Sequence, residues 1–296
     1  MKSNPIIIDF VVILTILFFS SCRSLVEDDF SDNLKKPVVN SLLQADSTFS
    51  VQVTLTAHLG DTLFQPVKNA VVVIESFHNS PDTLSYLNSG LYVSDRIVES
   101  GETYTCKVII PGYDTLKCHT TVPKRTAING IKIMDVAGKD EEGEAYSSVK
   151  FRIANDSTKR TFWDVKLVEK NAYDSWMDIT GLDYKYLIVF PEQDPVLLNE
   201  AMPFTSFSNL KMALTDYWFT INVMKNEILN SEEPLYLELR SVDESYYYYQ
   251  KQLYLYQTGL SSGFGETAKS YPLYSNVENG YGIFTSYAVD YKLVEF

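Results

Sequence analysis

Val51-Gln52-Val53-Thr54-Leu55-Thr56 alternates apolar and polar side chains with a period of two, so a pleated strand sends its valines to one face and its polar residues to the other. A short distance on, Ala70-Val71-Val72-Val73-Ile74-Glu75 is a continuous β-branched run, the pattern of a strand buried on both faces. Gly90-Leu91-Tyr92-Val93 and Gly101-Glu102-Thr103-Tyr104 each place a turn glycine ahead of a strand. Short strands separated by turn residues from Pro37 to Pro123 predict an antiparallel β-sandwich of about seven strands.

Beyond about Thr126 the strand patterns lengthen: Thr161–Val168, Tyr184–Phe190, Tyr217–Val223 and Leu235–Leu239, with the acidic segment Gly138–Glu144 as a loop between them. Ser241-Val242-Asp243-Glu244 reads as a capping box, in which a serine hydroxyl and a glutamate three residues on satisfy free backbone N–H groups. Tyr246, Tyr249, Leu253 and Tyr256 then recur at helical spacing up to Gly259, which predicts one helix near 242–257. Tyr246, Tyr247, Tyr248 and Tyr249 are consecutive and cannot all face a core, so part of the run is expected at a surface suited to a partner.

At the N-terminus, the apolar stretch Pro5–Phe19 is about 15 residues and contains Asp9, short of the roughly 20 that a membrane span needs. Ser20-Ser21-Cys22 closes it as a small-small-Cys junction similar to a bacterial lipobox, at which the leader is cut and the cysteine lipidated. Residues 1–21 are therefore expected to be a lipoprotein signal peptide, Cys22 the lipid anchor, and 22–36 a flexible acidic tether. Of the remaining cysteines, Cys106 and Cys118 flank the turn signal Pro111-Gly112-Tyr113. A hairpin centred on Gly112 pairs residue i with 224 − i, setting Cys106 opposite Cys118 and Val108 opposite Leu116. That placement allows a disulfide in an oxidising compartment; the alternative is two buried free thiols.

The formal net charge of −13 argues against nucleic acid and anionic lipid as partners for the overall field. Gly259-Leu260-Ser261-Ser262-Gly263 spells the G-x-S-x-G of a nucleophile elbow, but a helix precedes it, none is predicted after it, and His58, His78 and His119 all lie upstream. Gly263-Phe264-Gly265-Glu266-Thr267-Ala268 has the glycines of a dinucleotide loop without the βαβ unit that gives them meaning. The histidines share no metal-ligand spacing, so neither cofactor nor metal is expected. No residue set reads as catalytic.

The strings Pro66–Ile74, Gly90–Tyr92, Gly101–Tyr104, Gly112-Tyr113, Val122-Pro123, Ser241–Tyr246 and, above all, Pro272–Gly280 leading into Gly282-Ile283-Phe284 resemble the DUF4249 family of Bacteroidota outer-membrane lipoproteins. The first of these also look like Ig-like or transthyretin-like modules. The expected fold is mainly β: an Ig-like or transthyretin-like β-sandwich over 37–125, then a larger antiparallel β domain over 126–296 with one helix. The resemblance implies lipid anchoring at the outer membrane, on its periplasmic face or at the cell surface, and association with a TonB-dependent receptor. The acid run Glu27-Asp28-Asp29 looks like a signal for the surface. A non-enzymatic accessory or binding component of such an uptake system is the expected role, with a structural or adhesion module of the envelope, or less readily a hydrolase, as alternatives. Besides the tyrosine run, Tyr274, Asn276, Tyr281 and Phe284 are the residues expected at an interface.

Overall fold

The computed structural model describes residues 35–57, 64–170, 185–190, 194–198, 205–212, 217–260 and 273–296. The signal, Cys22, most of the tether, His58, the serine of the G-x-S-x-G string and the Gly263–Ala268 string lie outside them. Eighteen strands fall into three sheets among the described residues, and no sheet closes into a barrel. The mainly β fold is as the alternation implies.

The strands are β1 (Pro37–Gln44), β2 (Thr48–Leu55), β3 (Gln65–Pro66), β4 (Val71–Ser76), β5 (Asp82–Thr83), β6 (Ser85–Asn88), β7 (Leu91–Ile97), β8 (Thr103–Ile109) and β9 (Leu116–Thr121) in the first part. They continue as β10 (Ile128–Lys139), β11 (Ala145–Ile153), β12 (Phe162–Glu169), β13 (Lys185–Leu187), β14 (Val189–Phe190), β15 (Ser206–Ser208), β16 (Trp218–Met224), β17 (Leu235–Val242) and β18 (Tyr281–Val294). One ten-stranded sheet runs β13-β12-β17-β18-β1-β2-β7-β6, with β15 on β12 and β3 on β2. Two four-stranded sheets, β5-β4-β8-β9 and β10-β11-β16-β14, complete the fold.

Two cores follow from these layers. Val39, Phe49, Val51, Val53 and Tyr92 from one sheet meet Val72, Ile74, Tyr104, Val108 and Leu116 from β4, β8 and β9, giving the sandwich. Trp163, Val165, Leu167, Leu237 and Leu239 meet Val149, Phe151, Phe219 and Ile221 in the second core. β18 serves both. It runs parallel to β1 over Val38–Gln44 and Tyr281–Tyr287, then antiparallel to β17 over Tyr287–Val294, and it contributes Phe284 and Ala288 to the first core and Val294 to the second.

The β8–β9 hairpin has the register expected from its turn: Cys106 faces Cys118 and Val108 faces Leu116. Gly112 sits at φ +86°, the left-handed conformation that the turn demands. Both cysteines are buried free thiols, with Cys118 Sγ 3.8 Å from the Cys106 carbonyl oxygen. The neighbouring Cys118 side chain, together with burial, pushes the Cys106 thiol well above its ordinary value, which suppresses thiolate chemistry.

Some elements depart from the sequence pattern. Within the stretch expected as one strand, the described residues 185–190 divide: β13 joins the ten-stranded sheet, β14 joins a different one, and Ile188 between them is 73% exposed. Short helices at Pro195–Leu198 and Lys225–Leu229 join the long one, which spans Glu244–Leu260 and not 242–257. Ser241 is not the cap. It lies on β17 with its hydroxyl bonded to Thr126, and Asp243 caps the helix, its Oδ1 accepting the Tyr246 N–H at 2.8 Å.

Candidate binding site

The long helix starts where three elements converge, and Asp243 is the reason. Besides capping the helix, its carboxylate accepts from the Thr120 hydroxyl of β9 at 2.5 Å and from the Thr285 hydroxyl of β18, while its own N–H donates to the Ser286 carbonyl at 3.1 Å. Burial raises its carboxyl above the ordinary range, and those hydroxyl and amide donors pull the other way. The first helical turn is thus fixed in direction.

Tyr246 and Tyr247 face inward, so neither offers a surface to a partner. Tyr246 donates its hydroxyl to Asp164 Oδ2 at 2.8 Å, and burial, reinforced by the Asp164 charge, lifts that hydroxyl well above its usual value. Tyr247 packs on Phe162 with ring centres 4.8 Å apart. Tyr248 and Tyr249 are half-buried.

They lie on two different surfaces. On one flank, Tyr248 approaches Tyr274 at 5.9 Å between ring centres and accepts an N–H from Arg160 Nη2 at 2.8 Å. Arg160 also pairs with Glu244 at 2.9 Å and holds its guanidinium 5.0 Å from the Phe162 ring centre, while its side chain remains 43% exposed. This aromatic and arginine ledge borders a cleft of about 770 Å³ whose lining includes His119, Lys124, Lys159 and Trp163. On the other flank, Tyr249 and Gln250 overhang a groove of about 520 Å³ above β1, β2, β7 and β18.

The other residues expected at an interface divide differently. Phe284 is fully buried in the first core. Asn276 works as a one-residue strand neighbour: its Oδ1 accepts the Phe284 N–H at 2.9 Å and its Nδ2 donates to the Phe284 carbonyl at 2.8 Å, on the side of β18 that β17 does not yet cover. Its commitment is structural. Tyr281 is 47% exposed, with Lys36 Nζ 3.3 Å from its hydroxyl.

Buried charge elsewhere is likewise engaged. Asp164 accepts from Thr205, Ser206 and Tyr246, and Glu238 pairs with Arg240, which also reaches the Tyr186 hydroxyl at 2.9 Å. Asp194 accepts the N–H groups of Val196, Leu197 and Thr220 and the Tyr217 hydroxyl, which is pushed up to about 12, chiefly by burial. His78 Nδ1 lies 2.7 Å from Glu102 Oε2. Among the described residues no group of three His, Cys, Asp or Glu side chains could hold a metal ion, and no helix is long and apolar enough to cross a membrane.

Arg160, Gln52 and Asn40 carry no motif that would single them out in the sequence. They gain meaning only from a helix and a strand that come much later in the chain.

These features define a mainly β, sandwich-containing protein with a cleft and a groove on opposite flanks of one helix. The chain belongs to the DUF4249 family, a domain of unknown function, which it matches over residues 24–292. Comparison with curated proteins yields no match. Among solved structures, the chain is similar to a mutant of Salmonella alpha-2-macroglobulin, at 11% identity and a TM-score of 0.24, over 71% of this chain. It spans 14% of that protein's length, and so slight a likeness carries no argument.

Proposed function

We propose that this chain is a lipid-anchored outer-membrane protein of Bacteroidota and a non-enzymatic accessory or binding component of a TonB-dependent uptake system. Its family membership and the leader ending at Cys22 support the address. The observation that carries the binding role is the ledge of Tyr248, Tyr274 and Arg160, because tyrosine and arginine held rigidly at a partly exposed surface are the residue types that dominate interface energetics. The engagement of the buried carboxylates by fixed hydroxyl and amide donors supports a structural use for them.

The test is crosslinking in native membranes. The wild-type chain is expected to recover a β-barrel receptor, and Tyr248→Ala combined with Tyr274→Ala to weaken recovery by about tenfold or more, the loss of one interface anchor being worth about 2 kcal/mol. Recovery of the protein alone under gentle extraction would remove the accessory role. The anchor is tested separately. Triacylation buries far more methylene than the marginal single chain, at about 0.8 kcal/mol per CH₂. Cys22→Ser is therefore expected to move the protein into the soluble fraction; retention in the membrane would point to an uncleaved anchor.

A further inference from the structure

We propose that the groove between the long helix and the outer face of the ten-stranded sheet binds a neutral saccharide. Strand register builds its floor: Leu91 of β7 faces Gln52 of β2, Gln52 faces Asn40 of β1, and Asn40 faces Ile283 of β18, so four side chains form one row across four strands. Leu42 and Thr285, also facing one another, extend it. Tyr249 and Gln250 stand three and four residues beyond the buried Tyr246, on the same helix face, and form the wall.

Among the described residues the lining contains no Asp, Glu, Lys or Arg, although such residues make up 21% of the chain. A charged ligand would enter it without a counter-charge. A purely apolar ligand would strip water from the amides of Asn40, Gln52 and Gln250 and return nothing for the bonds lost. Among the described residues Asn40 spends only its oxygen, accepting the Ile283 N–H at 3.3 Å. The side chains of Gln52, Tyr249 and Gln250 have no hydrogen-bond partner among the described residues. Amides that both donate and accept match vicinal hydroxyls, and a tyrosine ring matches the C–H face of a pyranose. Adding a peptide strand is ruled out at this place, because β1, β2, β7 and β18 are interior strands whose edges are already paired. The volume of about 520 Å³ falls within the roughly 300–1,000 Å³ of small-ligand sites.

The inference deepens the binding reading and is separable from it. Affinity electrophoresis of the full chain through gels containing starch, xyloglucan or galactomannan, with polygalacturonate as the charged control, supplies the test. Retardation is expected in at least one neutral gel and not in the control. Gln52→Leu and Tyr249→Ala should each weaken it by about tenfold, the loss of one good polar or ring contact, with the thermal midpoint unchanged. No retardation in any neutral gel, equal retardation of the variants, or retardation by polygalacturonate alone would overturn the assignment. If the receptor is still recovered by crosslinking in that case, the accessory role stands and only the groove's ligand falls.

Discussion

Gly282→Ala is expected to destabilise the protein by at least about 4 kcal/mol, in the range reserved for single substitutions that break a defined structural device. Gly282 adopts φ +112°, and a Cβ there would collide with the Val39 carbonyl oxygen while lying 2.8 Å from its carbon and 2.9 Å from its nitrogen. All three obstacles are backbone, so no rotamer change relieves them. The strain of a positive φ accounts for about 1–3 kcal/mol, and the remainder comes from forcing β18 away from β1 along a seven-residue ladder. Gly112→Ala is the control, because that glycine also has a positive φ, +86°, but open space where its Cβ would be. Urea unfolding of the two variants separates strain from collision. Equal losses at both positions would show that β1 and β18 do not approach as described.

Asp164→Ala is expected to cost about 3–5 kcal/mol, as does removing one partner from a buried charge cluster. The carboxylate is almost wholly buried and accepts from Thr205 at 3.0 Å, Ser206 at 3.0 Å and Tyr246 at 2.8 Å, with Lys166 Nζ at 3.6 Å. Its loss strands three hydroxyls and leaves an ammonium that is already hard to keep charged: burial lowers the Lys166 pKa, and Asp164 is the largest influence opposing that shift. Tyr246 would lose the bond that seats the helix on the sheet. Asp164→Asn, which keeps shape and part of the acceptor capacity, should lose less. Denaturant midpoints at constant m-value decide the matter, and a drop below 1 kcal/mol for Asp164→Ala would show that the site relaxes or hydrates.

Local chemistry made much of this architecture legible. Period-two alternation marked β2, glycine turns marked the starts of β7 and β8, and the midpoint between Cys106 and Cys118 set a hairpin register that the fold keeps. The long helix starts two residues later than its pattern implies, because Ser241 and Asp243 are both good caps and only the end of β17 chooses between them. The tyrosine run could be read as helical, but which rings turn inward depends on Asp164 and Phe162, some eighty residues earlier. The Pro272–Phe284 string looked like an interface because it is rich in aromatic, asparagine and glycine residues. From Leu273 onward it is instead largely a clasp: Val277 enters the first core, Glu278 bridges to Lys117, and at Gly280 a Cβ would lie 2.7 Å from the Pro37 carbonyl oxygen. Contacts spanning most of the chain leave no periodic trace.

The place of β18 sets a clock on folding. β1 and β18 are joined across 243 residues, as in the bond from Ile283 to Asn40, so the first core lacks Phe284 and Ala288 until the last strand exists. At about 5–20 residues per second of synthesis, β1 waits roughly 10–50 seconds for its neighbour. During that interval its edge and the faces of Val39 and Leu43 stay open, a state that penalises delay. A chain that stops before Tyr281 cannot finish its sandwich at all, so the fold itself discriminates between completed and interrupted copies.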